Sequence, residues 1–422
     1  MQSLWLFTLL AFLNLSFPKA SSAYIGIGGG AGVWINGRGV TVTTSPQAPP
    51  PSTSDPIPSR EYAALQAWKS AITEDPSGIL SSWVGPDVCS YKGIFCSDPP
   101  EDMSSSAITS VVAGIDLNRA NFKGSLVKEL SLLTHLSIIH LNSNRFSGTV
   151  PDSFREFQYL SELDLSNNLL SGPFPTSTLV VPNLKYLDLR FNSFSGEVPD
   201  EVFEKDLDAI FLNNNQFEGQ IPMSIWGAPA TVITLANNKF SGSLPASFGY
   251  TGAGIREILF LNNKLTGCIP EGLGYLSEME VLDLSFNSFA GRLPGSLSCL
   301  TGIEVLNIAH NQLTGELSDL VCDLKSLANL TASYNFFSGF SQDCAKLFFK
   351  NAGFDFAGNC IPGTGMQRPP SECMEVPGGG LSCLRIPTTK PVACAAGAIM
   401  GPGGAMVGIP FNLPASLPSS VP

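Results

Sequence analysis

Charge, histidine and metal-type cysteine spacing are all scarce in this chain of 422 residues. Only 14% of residues are charged, and the three histidines are His135, His140 and His310. None lies in an H-E-x-x-H helix and no G-x-S-x-G turn occurs, so no familiar catalytic constellation is present and no enzyme is expected. No two of the ten cysteines form a C-x-x-C pair, so no metal or other cofactor is assigned. Basic residues are outnumbered 23 to 35, for a net charge of -12. Such a chain repels nucleic-acid phosphates and anionic membranes and attracts a basic partner. Glycine (41) and proline (32) are the surplus, which points to tails or to a turn-rich repeat.

The ends read as processing and linker segments. Residues 1–23 (MQSLWLFTLLAFLNLSFPKASSA) have an apolar stretch followed by small residues, with Ser21 and Ala23 placed for signal-peptidase cleavage. Asn14, Pro18 and Lys19 interrupt that stretch, which argues against a membrane anchor, and no later run is long enough for a transmembrane segment. Residues 24–59 read as a Gly/Pro-rich flexible linker and 395–422 as a flexible apolar tail. The Gly-rich run near residue 27 lacks the strand–helix context of a dinucleotide loop.

A repeat governs the middle of the chain. Leu160, Leu163, Leu165, Asn168, Leu170, Gly172 and Pro175 recur as Leu184, Leu187, Leu189, Asn192, Phe194, Gly196 and Pro199. The Asn slot is filled by Asn144, Asn168, Asn192, Asn215, Asn238, Asn263, Asn287, Asn311 and Asn335, with Ala120 in a weaker first copy. The x-L-x-L-x alternation predicts a short strand with one buried face. The Asn follows it, where its amide can satisfy backbone groups left unpaired in the turn. Gly lets the backbone bend, and the closing Pro gives up a donor that no ladder needs. A single unit cannot bury its apolar edge, so the units must stack. The fold class is an α/β solenoid: a leucine-rich-repeat array of about ten 24-residue repeats over 112–343, with a parallel concave sheet and disulfide-stabilised caps.

Residues 60–111 are expected to cap the N-terminal end, with a helix at REYAALQAWKSAI offering Tyr62, Leu65, Trp68 and Ile72 on one face. In an oxidising compartment Cys89 and Cys96 are expected to bond. Cys299 and Cys322, one repeat apart, are a candidate second pair. Residues 344–394 carry further cysteines and read as a cysteine-rich C-terminal cap. Asn329-Leu330-Thr331 is a glycosylation sequon, and a glycan on Asn329 would obstruct the C-terminal part of the concave side.

Recognition is the reading the concave face supports. Asp164, Asp188 and Asp283 would complement a cationic ligand. Phe191, Phe211, Leu259, Leu261, Phe286 and Tyr334 form a candidate apolar stripe, with Asn214 beside it. A carboxylate pair for glycoside cleavage is the competing reading of the Asp residues, although Asp in an L-D-L slot is a common solvent-facing strand residue.

From Glu61 to Ala395 the chain resembles the plant leucine-rich-repeat extensins, secreted cell-wall proteins. The stretches VCSYKGIFC, LDAIFLNNNQFEGQIP, NLTASYNFFSGFSQDC and FDFAGNCIPG carry the likeness. The resemblance implies secretion to the cell wall, a role in wall integrity during growth, and a repeat domain that binds small, basic, cysteine-rich signalling peptides of the rapid alkalinization factor type. It also implies a homodimer linked through the cysteine tail. The family follows that tail with a long Ser-Pro-rich extensin module. Here no Ser is followed by four Pro, so a relative lacking the module is expected. Two further readings stand beside a peptide-binding module: a structural protein that holds pectin or other wall polymers, and an inhibitor of microbial polygalacturonase.

Overall fold

The computed structural model describes residues 57–99, 110–245, 254–347, 353–374 and Cys383. The expected leader (1–23), most of the linker and the tail (395–422) lie outside the described residues.

Each repeat contributes a three-residue strand, an Asn turn, a second short strand and a one-turn helical segment that leads into the next repeat. The first strands form a twelve-stranded sheet running from Ile94–Ser97 through Val111–Asp116 and Ile138–His140 to Gly353–Asp355. After the antiparallel first pair every strand is parallel, and inward residues sit in register: Leu163 opposite Leu187, Leu187 opposite Ile210, Ile210 opposite Ile233. That register stacks one apolar side chain per turn into a continuous core, the condition under which units too small to fold alone hold together.

The Asn ladder fastens the stack. Asn168 donates through Nδ2 to Leu141 O in the preceding turn at 2.9 Å and to Leu165 O in its own turn at 3.1 Å. Its Oδ1 accepts from Phe146 N at 3.0 Å. The same pattern holds at Asn311 and continues past residue 343 to Asn359, whose amide serves Ala332 O and Phe356 O. The array thus runs one turn into the segment read as the C-terminal cap. Ala120, in the first Asn slot, is simply buried.

A second, eleven-stranded sheet lies beside the ladder and was not expected from the repeat pattern. Its strands, such as Arg145–Gly148 and Ser193–Glu197, follow each Asn turn and bury Phe146 and Phe194 while leaving Ser147 and Ser195 exposed. Eight of them, from Arg145–Gly148 to Gln312–Leu317, carry a glycine of positive φ at or near the end (87° at Gly148, 81° at Gly196), where a side chain would be strained. The residues read as a bend are therefore a strand and the bend that ends it. Gly274 has a different reason: a Cβ there would lie 2.2 Å from the Ser296 carbonyl oxygen of the next turn. Gly274→Ala is expected to cost about 2 kcal/mol of stability by overpacking, read as a lower midpoint in urea unfolding.

At the N-terminal end, helix Ile57–Ala71 covers the open core. Trp68 is fully buried, its ring 5.9 Å from Trp83 and 5.7 Å from Phe146. Tyr62, expected on the buried face, is exposed, and Glu61 is buried in its place. Glu61 Oε1 accepts from Val112 N at 2.8 Å, pairing a backbone donor of the strand that opens the repeats. Burial raises the Glu61 carboxyl above its usual range against that hydrogen bond.

Cys89 and Cys96 are bonded. Cys299 and Cys322 are not bonded to each other: Cys322 pairs with Cys344, 22 residues on and 4.9 Å away between Cα atoms. One-turn spacing is met by both choices, and the helices Asp319–Cys322 and Gln342–Lys346 bring the second pair together. Cys299 is itself disulfide-bonded, Cys360 pairs with Cys373, and Cys268 pairs with Cys383 across 115 residues. The cysteine-rich segment is thereby tied back to the middle of the array. None of the described cysteines is free to link a second copy.

Candidate functional site

The face of the twelve-stranded sheet turned away from the core holds the candidate residues, because period-two alternation sends the neighbours of each buried Leu outward. Toward the N-terminal end it dips into a depression of about 420 Å³ lined by Asn118, His140, Ser161, Glu162, Asp164, Lys185, Tyr186 and Asp208. Asp164 is half-buried there and accepts from Ser166 N at 2.9 Å. Glu162 Oε2 lies 2.9 Å from His140 Nε2.

The balance of charge on this face is one-sided. Of its basic residues, Lys185 pairs with Asp206, Arg190 with Asp188 and Arg256 with Glu280, while Arg119 is exposed with no ion pair among the described residues. Asp116, Asp164, Asp208, Glu257, Glu304 and Asp355 have no ion pair among the described residues. At Glu257 burial raises the carboxyl, with neighbouring Glu280 adding to it and Arg256 opposing.

Two of the three aspartates expected to meet a ligand are not available to one. Asp188 is fully buried, held by Arg190 Nε at 2.9 Å with the Tyr186 hydroxyl at 3.3 Å. Asp283 is buried and accepts from Ser285 N at 2.9 Å and Asn307 Nδ2 at 2.9 Å, closing its own turn. Leu259 is also buried, so it leaves the apolar stripe. Phe211 is half-buried, with the Arg190 guanidinium 4.9 Å over its ring and Tyr186 beside it. Asn214 accepts from Asn213 and Asn237 side-chain amides.

Burial pushes the Asp188 carboxyl up to about 7 against the pull of Arg190, and Asp164 pushes it the same way. The folded state therefore carries a proton that the unfolded chain has lost between about pH 4 and 7, so this group's contribution to stability falls as pH rises through that window. Compared with Asp188→Asn, the wild type is expected to lose stability at up to about 1.4 kcal/mol per pH unit there, measured by urea unfolding at a series of pH values; parallel curves would contradict it.

A third feature is a row of residues just before each ladder Asn, all with left-handed backbone. Phe191, Asn214, Asn237, Asn262, Phe286, His310 and Tyr334 have φ between 53° and 57°. Asn tolerates this conformation; a bulky side chain pays about 1 kcal/mol. Three consecutive turns nonetheless carry rings, and those rings stack: Phe286 on His310 at 4.1 Å and 13°, His310 on Tyr334 at 4.3 Å and 15°. Phe286 and Tyr334 are each about half exposed (50% and 49%). Burial and Arg368 hold the His310 imidazole below its ordinary range, with Asp355 opposing. Phe191 stands in the same row, exposed. His310 falls outside the apolar stripe read from the sequence; the signal that joins it to Phe286 and Tyr334 is its slot, one residue before Asn311.

Asn329 is exposed on the strand Asn329–Thr331, with the Thr331 hydroxyl donating to its Oδ1 at 3.0 Å. Among the described residues no helix is long and apolar enough to cross a membrane, and no cluster of metal-binding side chains forms.

Residues 58–97 match the leucine rich repeat N-terminal domain family, and 134–194, 278–300 and 302–324 match leucine rich repeat families. Pollen-specific leucine-rich repeat extensin-like protein 1 of Arabidopsis thaliana is 68% identical over 155 residues, 37% of this chain and 16% of that protein. Leucine-rich repeat extensin-like protein 2 of the same plant is 48% identical over 226 residues, 54% of this chain and 28% of that protein. The chain thus spans less than a third of the length of either relative. Among solved structures, the complex of PEPR1 with AtPEP1 superposes with a TM-score of 0.60 at 27% identity, over 71% of this chain and 45% of that one.

Proposed function

The chain belongs to the leucine-rich-repeat extensin-like family, and on that premise we propose that it is a non-catalytic extracellular recognition protein of the cell wall. Its ligand is a small basic, cysteine-rich peptide of the rapid alkalinization factor type, through which it contributes to wall integrity and growth. The observation that carries this reading is the surplus negative charge of the inner sheet around Glu162 and Asp164, on a face where, among the described residues, unpaired carboxylates outnumber the unpaired Arg119. A folded cationic peptide is attracted by such a face from a distance and held by it on arrival. PEPR1, a neighbour of the same fold, is crystallised with the peptide AtPEP1, which supports a peptide as the class of ligand.

Pectin is a polyanion, and the same carboxylates oppose it. Calorimetric titration of the purified chain with a folded, synthetic peptide of this type is expected to show binding that weakens at least tenfold, by order of magnitude, between low and high salt. Binding of polygalacturonate in place of the peptide would favour the structural reading, and loss of polygalacturonase activity on mixing would favour the inhibitor reading.

A further inference from the structure

The stack of Phe286, His310 and Tyr334 has properties that no requirement of the repeat explains. Its members occupy a left-handed backbone position where neighbouring turns carry Asn237 and Asn262. Both faces of His310 are covered by rings, and Gly358 closes the far end: a Cβ there would lie 2.8 Å from the Tyr334 ring. The chain keeps rings where Asn would be easier, and in the next turn the same left-handed slot holds Gly358 (φ 64°), packed against the Tyr334 ring. The left-handed turn belongs to every repeat; what is particular to these three turns is a stack of rings whose outer members are half exposed, and exposed aromatic groups of this kind mark binding surfaces.

What the stack offers outward is chiefly ring edges, since its faces are spent on one another. Sugar rings bind aromatic faces, so the arrangement is unsuited to a polysaccharide. Ring edges carry partial positive charge and pack against the π face of another aromatic side chain or against large aliphatic ones. The stack also lies on the same face as the acidic depression, with Phe286 five strands and Tyr334 seven strands further along. At about 4.8 Å per strand the separation is about 24 Å to Phe286 and about 34 Å to Tyr334, the span of about seven to ten residues of extended chain.

We propose that the stack is the second anchor of a two-part ligand site: the peptide's cationic cluster sits over Glu162 and Asp164, and an aromatic or large aliphatic cluster about 24–34 Å away sits on Phe286 and Tyr334. This deepens the peptide-binding reading and rests on it.

The test is selection of a random-peptide phage library on the full chain, followed by affinity measurement of the enriched peptides as synthetic products. Phe286→Asn/Tyr334→Asn is the informative variant, because Asn already fills this backbone position in other turns and the fold should be kept or slightly stabilised. Enriched peptides are expected to combine a basic cluster with an aromatic one, and to bind this variant about tenfold more weakly with their salt dependence intact. Peptides that are basic alone, or that bind the variant unchanged, would overturn the second anchor and leave the acidic site standing. Failure to enrich any peptide, or enrichment of peptides indifferent to Glu162→Gln/Asp164→Asn, would overturn the acidic site and the proposal with it.

Discussion

Replacing Asn311 by alanine is expected to remove about 2 kcal/mol of stability, because its side chain pairs the buried Phe289 N and joins the carbonyls of two turns. Asn311 Nδ2 donates to Leu284 O at 3.0 Å, Ile308 O at 3.2 Å and Ala309 O at 3.1 Å, and Oδ1 accepts from Phe289 N at 3.0 Å. The residue is buried, so water cannot replace it. Leu284 O keeps the Asn287 amide, Ile308 O the Asn335 amide and Ala309 O the Phe286 N–H, so Phe289 N is the group left without its partner, at about 1–3 kcal/mol. The damage crosses a repeat boundary, since Leu284 and Phe289 belong to the preceding turn, and a stacked array depends on such couplings between neighbours. Asn238, which is only half-buried, should cost less when changed in the same way. Urea unfolding monitored by tryptophan fluorescence gives both values; a loss below about 1 kcal/mol at Asn311 would mean that the ladder is decoration.

The second large effect concerns binding. Glu162→Gln/Asp164→Asn is expected to weaken a basic cysteine-rich peptide by about tenfold to thirtyfold at low salt, roughly 1.5–2 kcal/mol, and to flatten the salt dependence. Stability should hardly change, because both carboxylates are partly solvated and the His140–Glu162 contact is of the weak surface kind. Asp188→Asn is the counterpart control. Its carboxylate lies beneath Tyr186 and Arg190, so it should shift the pH dependence of stability and leave peptide affinity near the wild-type value. The reverse outcome, with Asp188 governing affinity and Asp164 inert, would place the ligand elsewhere.

How far the fold was legible in the sequence depends on how local each feature is. The Leu positions, the Asn slots and the Cys89–Cys96 loop are repeated or short-range, so their spacing alone predicts a stacked array with a disulfide near its N-terminal end. The second sheet escaped because strands such as Arg145–Gly148 and Ser193–Glu197 are only four or five residues long and contain the bending Gly, which hides them until the neighbouring turn is there to pair with. Cysteine pairing escaped for the related reason that Cys322 has partners one turn away on both sides, and only the helices at the end of the array choose between them.

The site was legible in its side of the sheet and less so in its residues. Strand alternation places Asp164, Asp188 and Asp283 on one face, but exposure there is decided by what the adjacent turns carry. Arg190 and Tyr186 close over Asp188, and Ser285 with Asn307 closes over Asp283. Asp164 has Ser166 as its side-chain donor and keeps an open flank toward the depression. The aromatic stack required knowledge of backbone conformation: only when residues 286, 310 and 334 are seen to share φ between 53° and 56° does a run of Phe, His and Tyr in consecutive turns become one object.

Carboxyl footprinting by carbodiimide labelling and mass spectrometry tests the inner face most directly, using the intact chain with and without a folded basic cysteine-rich peptide. Labelling of Asp116, Glu162, Asp164 and Asp208 should fall on addition of the peptide, while that of Asp152 and Glu201 in the outer segments Asp152–Glu156 and Glu201–Glu204 stays constant. Protection of Asp152 or Glu201 with the inner carboxylates still fully reactive would contradict the account.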